Sequence, residues 1–350
     1  MKKKIAGLAI LIGIMLIVGG IFLFRQRENS VAEVNGYVGG EKIGFLEDEE
    51  VTKILREKYG LKVDYAKAGS LDMVTSDLEG RDYLFPSSSI ALEYYEDLHG
   101  KPLQSENILN TPIVLYTHQI VLEALTEQGM IRTDGEVHYV DMEKLLDLIQ
   151  KDTQWKDIGV EELYGKVSVD TTDPAKSNSG NMFAALLADI INGGETPGEA
   201  DLPQVLPKLQ EIFGKLGYME TSSADLFSQF LKMGVGATPI AAGYESQIIE
   251  YAILNSEDYE AVKEDLVVLY PSPTIWSAHV LISLTEKGQE LTQALLDEEI
   301  QNLAWERHGF RTGSNGNVEG EIPVQGIAPV ITQVAPVPDY DVMKQIIDGL

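Results

Sequence analysis

The sequence contains no cysteine. The chain can therefore form no disulfide bond and no thiolate metal site, and it cannot carry a lipid on an N-terminal cysteine. Positive charge is scarce as well: 27 Lys and Arg residues stand against 55 Asp and Glu residues, a formal net charge of −28. Such an acidic surface repels nucleic acid and anionic lipid, so nucleic acid is not an expected partner.

Catalytic sequence motifs are absent too. The chain has no G-x-S-x-G elbow, no H-E-x-x-H and no phosphate-binding G-x-x-x-x-G-K-[ST] loop. His99, His138, His279 and His308 are scattered without metal-ligand spacing, so each is expected to lie on the surface or to be satisfied within the protein. We therefore predict no enzyme activity, no cofactor and no metal site.

The first 28 residues have the pattern of a membrane anchor. Lysines at positions 2–4 precede an uncharged apolar run, residues 5–24, which is long enough to span the hydrocarbon core as a helix. No small-residue cleavage site follows, which favours an uncleaved single-pass anchor over the alternative, a cleaved secretory peptide. Because the N-terminal side carries more positive charge, the bulk of the chain is predicted outside the cytoplasm. Residues 29–36 are predicted to form a tether.

Beyond the tether, short apolar strands alternate with amphipathic helices, which predicts an α/β fold. Strands are predicted at Val34–Val38, Leu61–Tyr65 and Asp82–Phe85, each followed by a loop rich in Gly or Ser. A helix is predicted at Asp48–Tyr59, ended by Gly60. In open α/β sheets ligands bind at the carboxyl ends of the strands, so these loops are candidate binding loops.

Two strands without polar alternation, Pro112–Thr117 and Leu266–Tyr270, look buried on both faces. We interpret them as two crossings between two lobes. One lobe is expected to contain residues 37–116 and 271–350, and the other residues 117–270. This architecture places a cleft at the hinge.

The segment Asp170–Asn181 is a loop of small polar residues that opens an apolar helix. It follows Lys166–Val169, which we predict to be a strand. The first N–H groups of a helix lack internal partners and carry partial positive charge, so an anion or a polar ligand oxygen binds well there. The alternative is that Ser177 or Asn178 only caps the helix.

Six segments carry a family resemblance: Val38–Lys42, Phe85–Ser88, Thr172–Asn181, Gly243–Gln247, Pro273–Ser277 and Leu303–Gly313. In their order and spacing they resemble the bacterial extracellular solute-binding proteins of the type 2 periplasmic-binding fold, in the molybdate/sulfate-like branch. The resemblance covers nearly everything after the tether. It implies a two-lobed binder with two hinge crossings, which closes on a small solute by hinge motion. We expect a monomer that serves an ABC-type uptake system with a membrane permease as partner, although the predicted anchor leaves open whether it feeds a transporter.

The resemblance also implies which residues bind the ligand. The first lobe would contribute Gly40, Glu41, Lys42, Gly69, Ser70, Ser87 and Ser88. The second lobe would contribute Thr117, His118, Lys176, Ser177, Asn178, Ser179, Gly180, Tyr244 and Glu245. Serine hydroxyls and backbone N–H groups can satisfy an oxyanion, and the two lysines would add Coulombic attraction. The alternatives are solvated surface lysines and serines that only cap helices.

Acidic and aromatic side chains keep the ligand class open. Glu41 and Glu245 would repel an oxyanion unless they are protonated or paired, and they suit an amine, hydroxyl groups or a bound cation better. Tyr244 and Trp276 could cover the apolar face of an organic ligand, or they could simply belong to the core. The sequence therefore predicts capture of a small polar solute, with an oxyanion first and a small organic solute second.

A second function stays open at this stage. A tethered ligand sensor or an envelope-interaction protein could use the same fold to report a ligand or to dock a partner. The predicted uncleaved anchor favours this alternative, because many relatives are released or lipid-linked.

Overall fold

The computed structural model describes residues 31–216, 219–312 and 322–350. The predicted membrane anchor, residues 1–28, lies outside the described residues. No helix among the described residues is long and apolar enough to cross a membrane. The predicted tether overlaps the first strand, which begins at Ala32 because its backbone pairs with a neighbouring strand from that residue onward.

The strands and helices alternate as the sequence predicts. The strands are β1 (Ala32–Val38), β2 (Leu61–Lys67), β3 (Tyr83–Phe85), β4 (Gln104–His118), β5 (Ile131–Asp134), β6 (Val137–Val140), β7 (Ile240–Tyr244), β8 (Leu266–Pro271), β9 (Thr274–Ser283), β10 (Arg311–Thr312) and β11 (Val334–Ala335). The helices are α1 (Ile43–Glu47), α2 (Glu49–Tyr59), α3 (Asp72–Thr75), α4 (Ile90–His99), α5 (Gln119–Glu127), α6 (Met142–Gln150), α7 (Asn178–Ile191), α8 (Leu202–Leu216), α9 (Ser223–Met233), α10 (Glu245–Leu254), α11 (Ser256–Val262), α12 (Glu286–Leu295), α13 (Glu298–His308) and α14 (Tyr340–Gly349).

Helix α2 shows how local sequence sets these bounds. The Asp48 side chain accepts hydrogen bonds from the N–H groups of Glu50 and Val51 and so begins the helix. Gly60, at φ 65°, ends it in the left-handed conformation that glycine adopts without strain. The helix predicted at Asp48–Tyr59 is therefore confirmed.

The first sheet has the strand order β2-β1-β3-β9-β4. β1 lies between β2 and β3 and runs parallel to both, whereas β9 runs antiparallel to β3 and β4. Helices connect the parallel strands, so the carboxyl ends of β1, β2 and β3 meet at one edge. That edge is where the candidate site lies.

β4 is long enough to belong to two sheets. Its first part, residues 104–112, pairs with β9, and its second part, residues 113–118, pairs with β7 and β8. β6 and β5 extend this second sheet beyond β8. β8 continues into β9 of the first sheet, so the chain passes twice between the sheets, at the two predicted crossings.

We use "first lobe" for β1–β3, β9, the first part of β4 and the helices packed on them, and "second lobe" for the second sheet with α6, α7, α8 and α9. Each lobe has an apolar core, with Val34 and Phe45 in the first and Leu115 and Leu186 in the second. Helix α14 contacts α7 and α8 of the second lobe as well as α4. The division of the chain at residues 116/117 and 270/271 stays a prediction.

Candidate functional site

A cavity of about 430 Å³ lies between the two lobes. We call it the cleft cavity. The first lobe lines it with Gly39–Glu41, Lys67–Ser70 and Asp72, and the second lobe lines it with Lys176–Asn178 and Thr221–Ala224. Both lobes therefore contribute loops that follow strands or begin helices.

The strand ends of the first sheet form one wall. Val38 at the end of β1 lies opposite both Lys67 of β2 and Phe85 of β3, so the loops after these three strands leave the sheet side by side. Gly40 gives the Lys67 side chain room, because a Cβ at that position would lie 2.6 Å from the Lys67 Cε. The loop after β3 contains Ser87 and places it beside the loops that follow β1 and β2.

The start of α7 forms the opposite wall. The segment before it, Lys166–Val169, is not the strand that the sequence predicts. Pairing with β7 is limited to an isolated bridge at Asp170, which donates to the Ile240 carbonyl and accepts from the Ala242 N–H at 2.8 Å each. Ser177 precedes the helix without a side-chain capping bond, and the first turn holds no acidic residue. Ser177 therefore does not act as the side-chain cap that was the alternative.

The start of α9 reaches the same cavity. Ser222 precedes this helix without a side-chain capping bond, and Thr221 and Ser223 place two further hydroxyls at the wall. The starts of two helices thus face one space, but Asp225 in the first turn of α9 partly offsets the positive end of that helix dipole. The Lys176 side chain, 62% exposed and 3.8 Å from the Asp173 carboxylate, adds a cation beside them. This side of the cavity favours an anionic group.

Behind the first-lobe wall lies a buried polar network. Lys42 has no exposed surface, and its Nζ donates to a carboxylate oxygen of Glu41, to Ser87 Oγ at 2.8 Å and to His279 Nδ1 at 3.1 Å. The Ser87 hydroxyl donates to the same Glu41 oxygen. All three ammonium protons of Lys42 have acceptors, as a buried charge requires.

The charge states in this network follow from burial and proximity. Burial acts to raise the pKa of Glu41, but the Lys42 ammonium and the hydrogen bonds from Lys42 and Ser87 together outweigh it and lower that pKa to about 2. Burial, and then the Lys42 charge, hold the pKa of His279 well below its usual range. Glu41 is therefore ionised and His279 neutral at neutral pH, which makes His279 Nδ1 the acceptor of the Lys42 proton.

Asn178 connects the two lobes across the network. Its Nδ2 lies 2.8 Å from the Ser87 carbonyl oxygen, 3.2 Å from Ser277 Oγ and 3.1 Å from the Tyr244 hydroxyl. Ser87 and Ser277 belong to the first lobe, and Tyr244 ends β7 of the second. The side chain that begins α7 is therefore held against the first lobe.

Most of the predicted ligand residues lie at the cleft cavity or directly behind it. The walls include Gly40, Glu41, Gly69, Ser70, Lys176, Ser177 and Asn178. Lys42, Ser87 and Tyr244 belong to the network behind them, and Ser179 and Gly180 pack against Thr172 beneath the start of α7. That these residues bind a ligand stays a prediction.

Two predicted residues lie away from the cavity. β4 runs antiparallel to β7, so Tyr244 lies opposite Ile113, while Thr117 and His118 occupy the other end of β4. The His118 ring nitrogen Nδ1 pairs with the Asp265 carboxylate at 2.7 Å. The direction of β4 was not evident from local sequence, which is why both residues looked like cleft residues.

Two further predicted residues have structural contacts instead. Glu245 has no exposed surface; its carboxylate accepts two bonds from Arg311, at 2.6 and 2.7 Å, and one from the Tyr270 hydroxyl. The acidic group expected in the cleft is thus neutralised in the core. Ser88 Oγ accepts a bond from the Ile90 N–H, the first of α4, at 3.2 Å, while Ser89, which directly precedes that helix, makes no side-chain capping bond.

Several residues of the site were not predicted from the sequence. Lys67, Asp72 and Thr221–Ala224 line the cavity, and Asn181 Oδ1 is buried beside it with no hydrogen-bond partner among the described residues. Lys67 directly precedes a Gly/Ser loop, so a signal was present. His279 had no local signal, because only the packing of β9 brings it to Lys42.

The chemistry available at the cavity is recognition of a polar solute. Donors come from hydroxyls, helix N–H groups and two lysines, and acceptors come from the carboxylates of Glu41 and Asp72. Ser87 lies 2.8 Å from Lys42 Nζ, but it is 1% exposed and its hydroxyl is already bonded. Within the described ranges no cluster of His, Asp and Glu could hold a metal ion.

No family model matches the chain, and no curated protein matches it. Solved structures do match. A periplasmic thiamin binding protein gives a TM-score of 0.61 at 12% identity, covering 91% of this chain and 94% of its own. The periplasmic binding protein AfuA from Actinobacillus pleuropneumoniae, with exogenous fructose-6-phosphate bound, gives 0.57 at 13% identity, covering 90% and 96%. The sulfate-binding protein SubI from Mycobacterium tuberculosis gives 0.54 at 10% identity, covering 81% and 88%.

At such low identity the likeness concerns the fold. The chain has the two-lobed α/β fold of the type 2 periplasmic solute-binding proteins, so the fold that its motifs predicted is confirmed. The three matched proteins bind different solutes, and the ligand of this chain has to be argued from its own cavity.

Proposed function

We propose that this protein is an extracellular solute-binding protein that captures a small polar solute in the cleft cavity for an ABC-type uptake system. The observation that supports this best is the cavity itself. Two helix starts, a lysine and a row of hydroxyls from the second lobe face strand-end loops of the first lobe across about 430 Å³. In this proposal the protein binds its solute and releases it unchanged.

An anionic group is the leading ligand feature. Backbone N–H groups at the starts of α7 and α9 can bind an oxyanion without a counter-charge, and Lys176 strengthens the attraction. The acidic surface of the chain lowers the capture of free anions from a distance, so binding would depend on short-range hydrogen bonds. In this proposal the protein is a monomer, and its expected partner is a membrane permease to which it delivers the solute.

The N-terminal residues 1–28 would anchor this monomer on the outer side of the cell membrane. This part of the proposal rests on the three lysines and the apolar run of the sequence. The same anchor supports a second function, a tethered sensor that reports the solute. Co-purification separates the two: a permease partner favours uptake, whereas a different membrane protein, retained only with solute, favours sensing.

Thermal unfolding of the full-length chain in mild detergent tests solute capture. The screen would include molybdate, sulfate, phosphate, amino acids and small sugars. A solute that binds only the folded state stabilises it by about 2.7 kcal/mol at a hundredfold excess over Kd, and raises the Tm accordingly. We expect the ligand-induced rise in Tm to be smaller in Ser177→Ala. It should persist in the control variant Ser256→Ala, because Ser256 is exposed and lies away from the cavity. If no compound raises the Tm, solute capture is wrong and the docking of a protein partner becomes the better function.

A further inference from the structure

The cleft cavity carries charges of both signs. Lys67 and Lys176 line it together with Glu41 and Asp72. Asp72 is exposed, so water can solvate its carboxylate. Glu41 is different, because its side chain retains only 11% exposure and faces the cavity from a buried network. This carboxylate is the least hydrated charge on the wall.

The two oxygens of Glu41 have unequal surroundings. Oε1 accepts from Lys42 and from Ser87 and lies 3.7 Å from a ring nitrogen of His279. Oε2 has no hydrogen-bond partner among the residues that the structure describes. An ionised carboxylate oxygen is only an acceptor, so Oε2 requires a donor from the contents of the cavity. A purely anionic ligand offers no such donor.

The opposite wall of the cavity presents hydrogen-bond donors and therefore requires acceptors from the ligand. The starts of α7 and α9 present N–H donors, with Lys176 beside them, and these groups favour an anionic group. The cavity therefore has an anion-favouring end and acceptor groups that need donors.

The size of the cavity fits a ligand with two functional groups. Pockets for small organic molecules range over about 300–1,000 Å³, and about 430 Å³ lies within that range. A bare tetrahedral oxyanion needs only about the room of two or three water molecules, roughly 30 Å³ each. A free oxyanion would leave most of the space, including the Glu41 side, to water.

We infer that the cleft cavity takes a zwitterionic organic solute, whose ammonium group donates to Glu41 Oε2 and whose anionic group lies at the starts of α7 and α9 beside Lys176. This inference rests on the proposed function and specifies its ligand class. The ion pair with Lys42 keeps Glu41 ionised, so the carboxylate is ready to accept before the solute arrives. A hydroxyl in place of the ammonium would satisfy the same oxygen with a weaker, uncharged donor.

Matched ligand pairs that differ only in the ammonium group test the inference on the unmodified protein. Calorimetric titration of the full-length chain in detergent would compare taurine with ethanesulfonate, β-alanine with propionate, and 2-aminoethylphosphonate with ethylphosphonate, with inorganic phosphate as a further probe. We expect the ammonium compound of at least one pair to bind about tenfold more tightly or better, as a charge-assisted hydrogen bond allows. If anions bind and no pair shows this gain, the inference is wrong while the proposed function stands. If none of these compounds binds, the inference is wrong, and the wider thermal screen decides whether solute capture stands.

Variants of Glu41 test whether this residue causes the tighter binding of the ammonium compounds. Glu41→Gln alone leaves the buried Lys42 without its counter-charge and can unfold the lobe, so the double variant Glu41→Gln/Lys42→Met is the decisive one. We expect the advantage of the ammonium compound to disappear in the double variant, while its partner without the ammonium keeps its affinity within about twofold. Lys176→Gln is the matched control, and it should weaken both members of a pair equally. An advantage that survives the double variant would overturn the role of Glu41.

Discussion

Asn178 offers a direct test of how the two lobes are held together. Its Nδ2 carries two protons and has two acceptors in the first lobe, the Ser87 carbonyl oxygen and Ser277 Oγ, besides the Tyr244 hydroxyl in its own lobe. In Asn178→Ala all three contacts are lost. The Ser277 hydroxyl still donates to the Ser87 carbonyl, so the first lobe keeps its internal bond.

The size of the effect follows from the two contacts between lobes. A typical hydrogen bond contributes about 0.5–1.5 kcal/mol net, and three acceptors share two protons, so the loss is about 1–2 kcal/mol. Each 1.4 kcal/mol changes an equilibrium tenfold, so the ratio of separated to joined lobes should rise about 5- to 30-fold in Asn178→Ala. The global stability of each lobe should change much less, because its core is untouched.

The absence of cysteine makes this equilibrium measurable. Spin labels on Glu57→Cys in α2 and Glu143→Cys in α6, both exposed, report the distance between the lobes by electron–electron resonance. We expect Asn178→Ala to shift the distance distribution toward longer values without ligand, and Asn302→Ala, on an exposed face of α13, to leave it unchanged. An unchanged distribution in Asn178→Ala, or the same shift in both variants, would refute the reasoning.

Three further predictions concern stability. Glu245→Gln should lower the free energy of unfolding by about 3–5 kcal/mol in a denaturant titration, because it leaves the Arg311 guanidinium buried beside a neutral partner; an effect below about 1 kcal/mol would contradict this. Gly180→Ala should cost about 1–3 kcal/mol, since its Cβ would lie 2.1 Å from the Thr172 carbonyl oxygen, whereas Gly214→Ala, with open space around it, should not. Burial raises the pKa of Asp189 from its ordinary 3.8 to about 7, so its stabilising contribution is complete below about pH 4 and is lost as the pH rises through about 7. Asp189→Asn should therefore raise the Tm relative to the parent at pH 8 and not at pH 4, and an equal shift at both values would show that the carboxyl is not responsible.

Much of the fold could be predicted from short-range patterns. The strands after the tether, the helix ended by Gly60 and the two crossings all depend on periodicity and capping within a few residues. The error at Lys166–Val169 has the same origin. That apolar stretch looks like a strand, yet it forms only an isolated bridge, between Lys166 and Gln154, and the bridge to β7 comes after it, at Asp170. Whether an apolar stretch finds a pairing edge depends on residues far from it in the chain.

The sequence by itself determined the class of the protein: an α/β chain whose strands end in small polar loops, and whose lack of cysteine and of basic residues excludes whole classes of site and partner. Tertiary structure decided which loops meet. Glu41 and Glu245 are both acidic residues just beyond the end of a strand, but one faces the cleft cavity and the other pairs with Arg311, 66 residues further along. The physical reason is that local periodicity depends on neighbours in the chain, whereas a side chain's charge partner depends on strand direction and register, which only the packed sheets define.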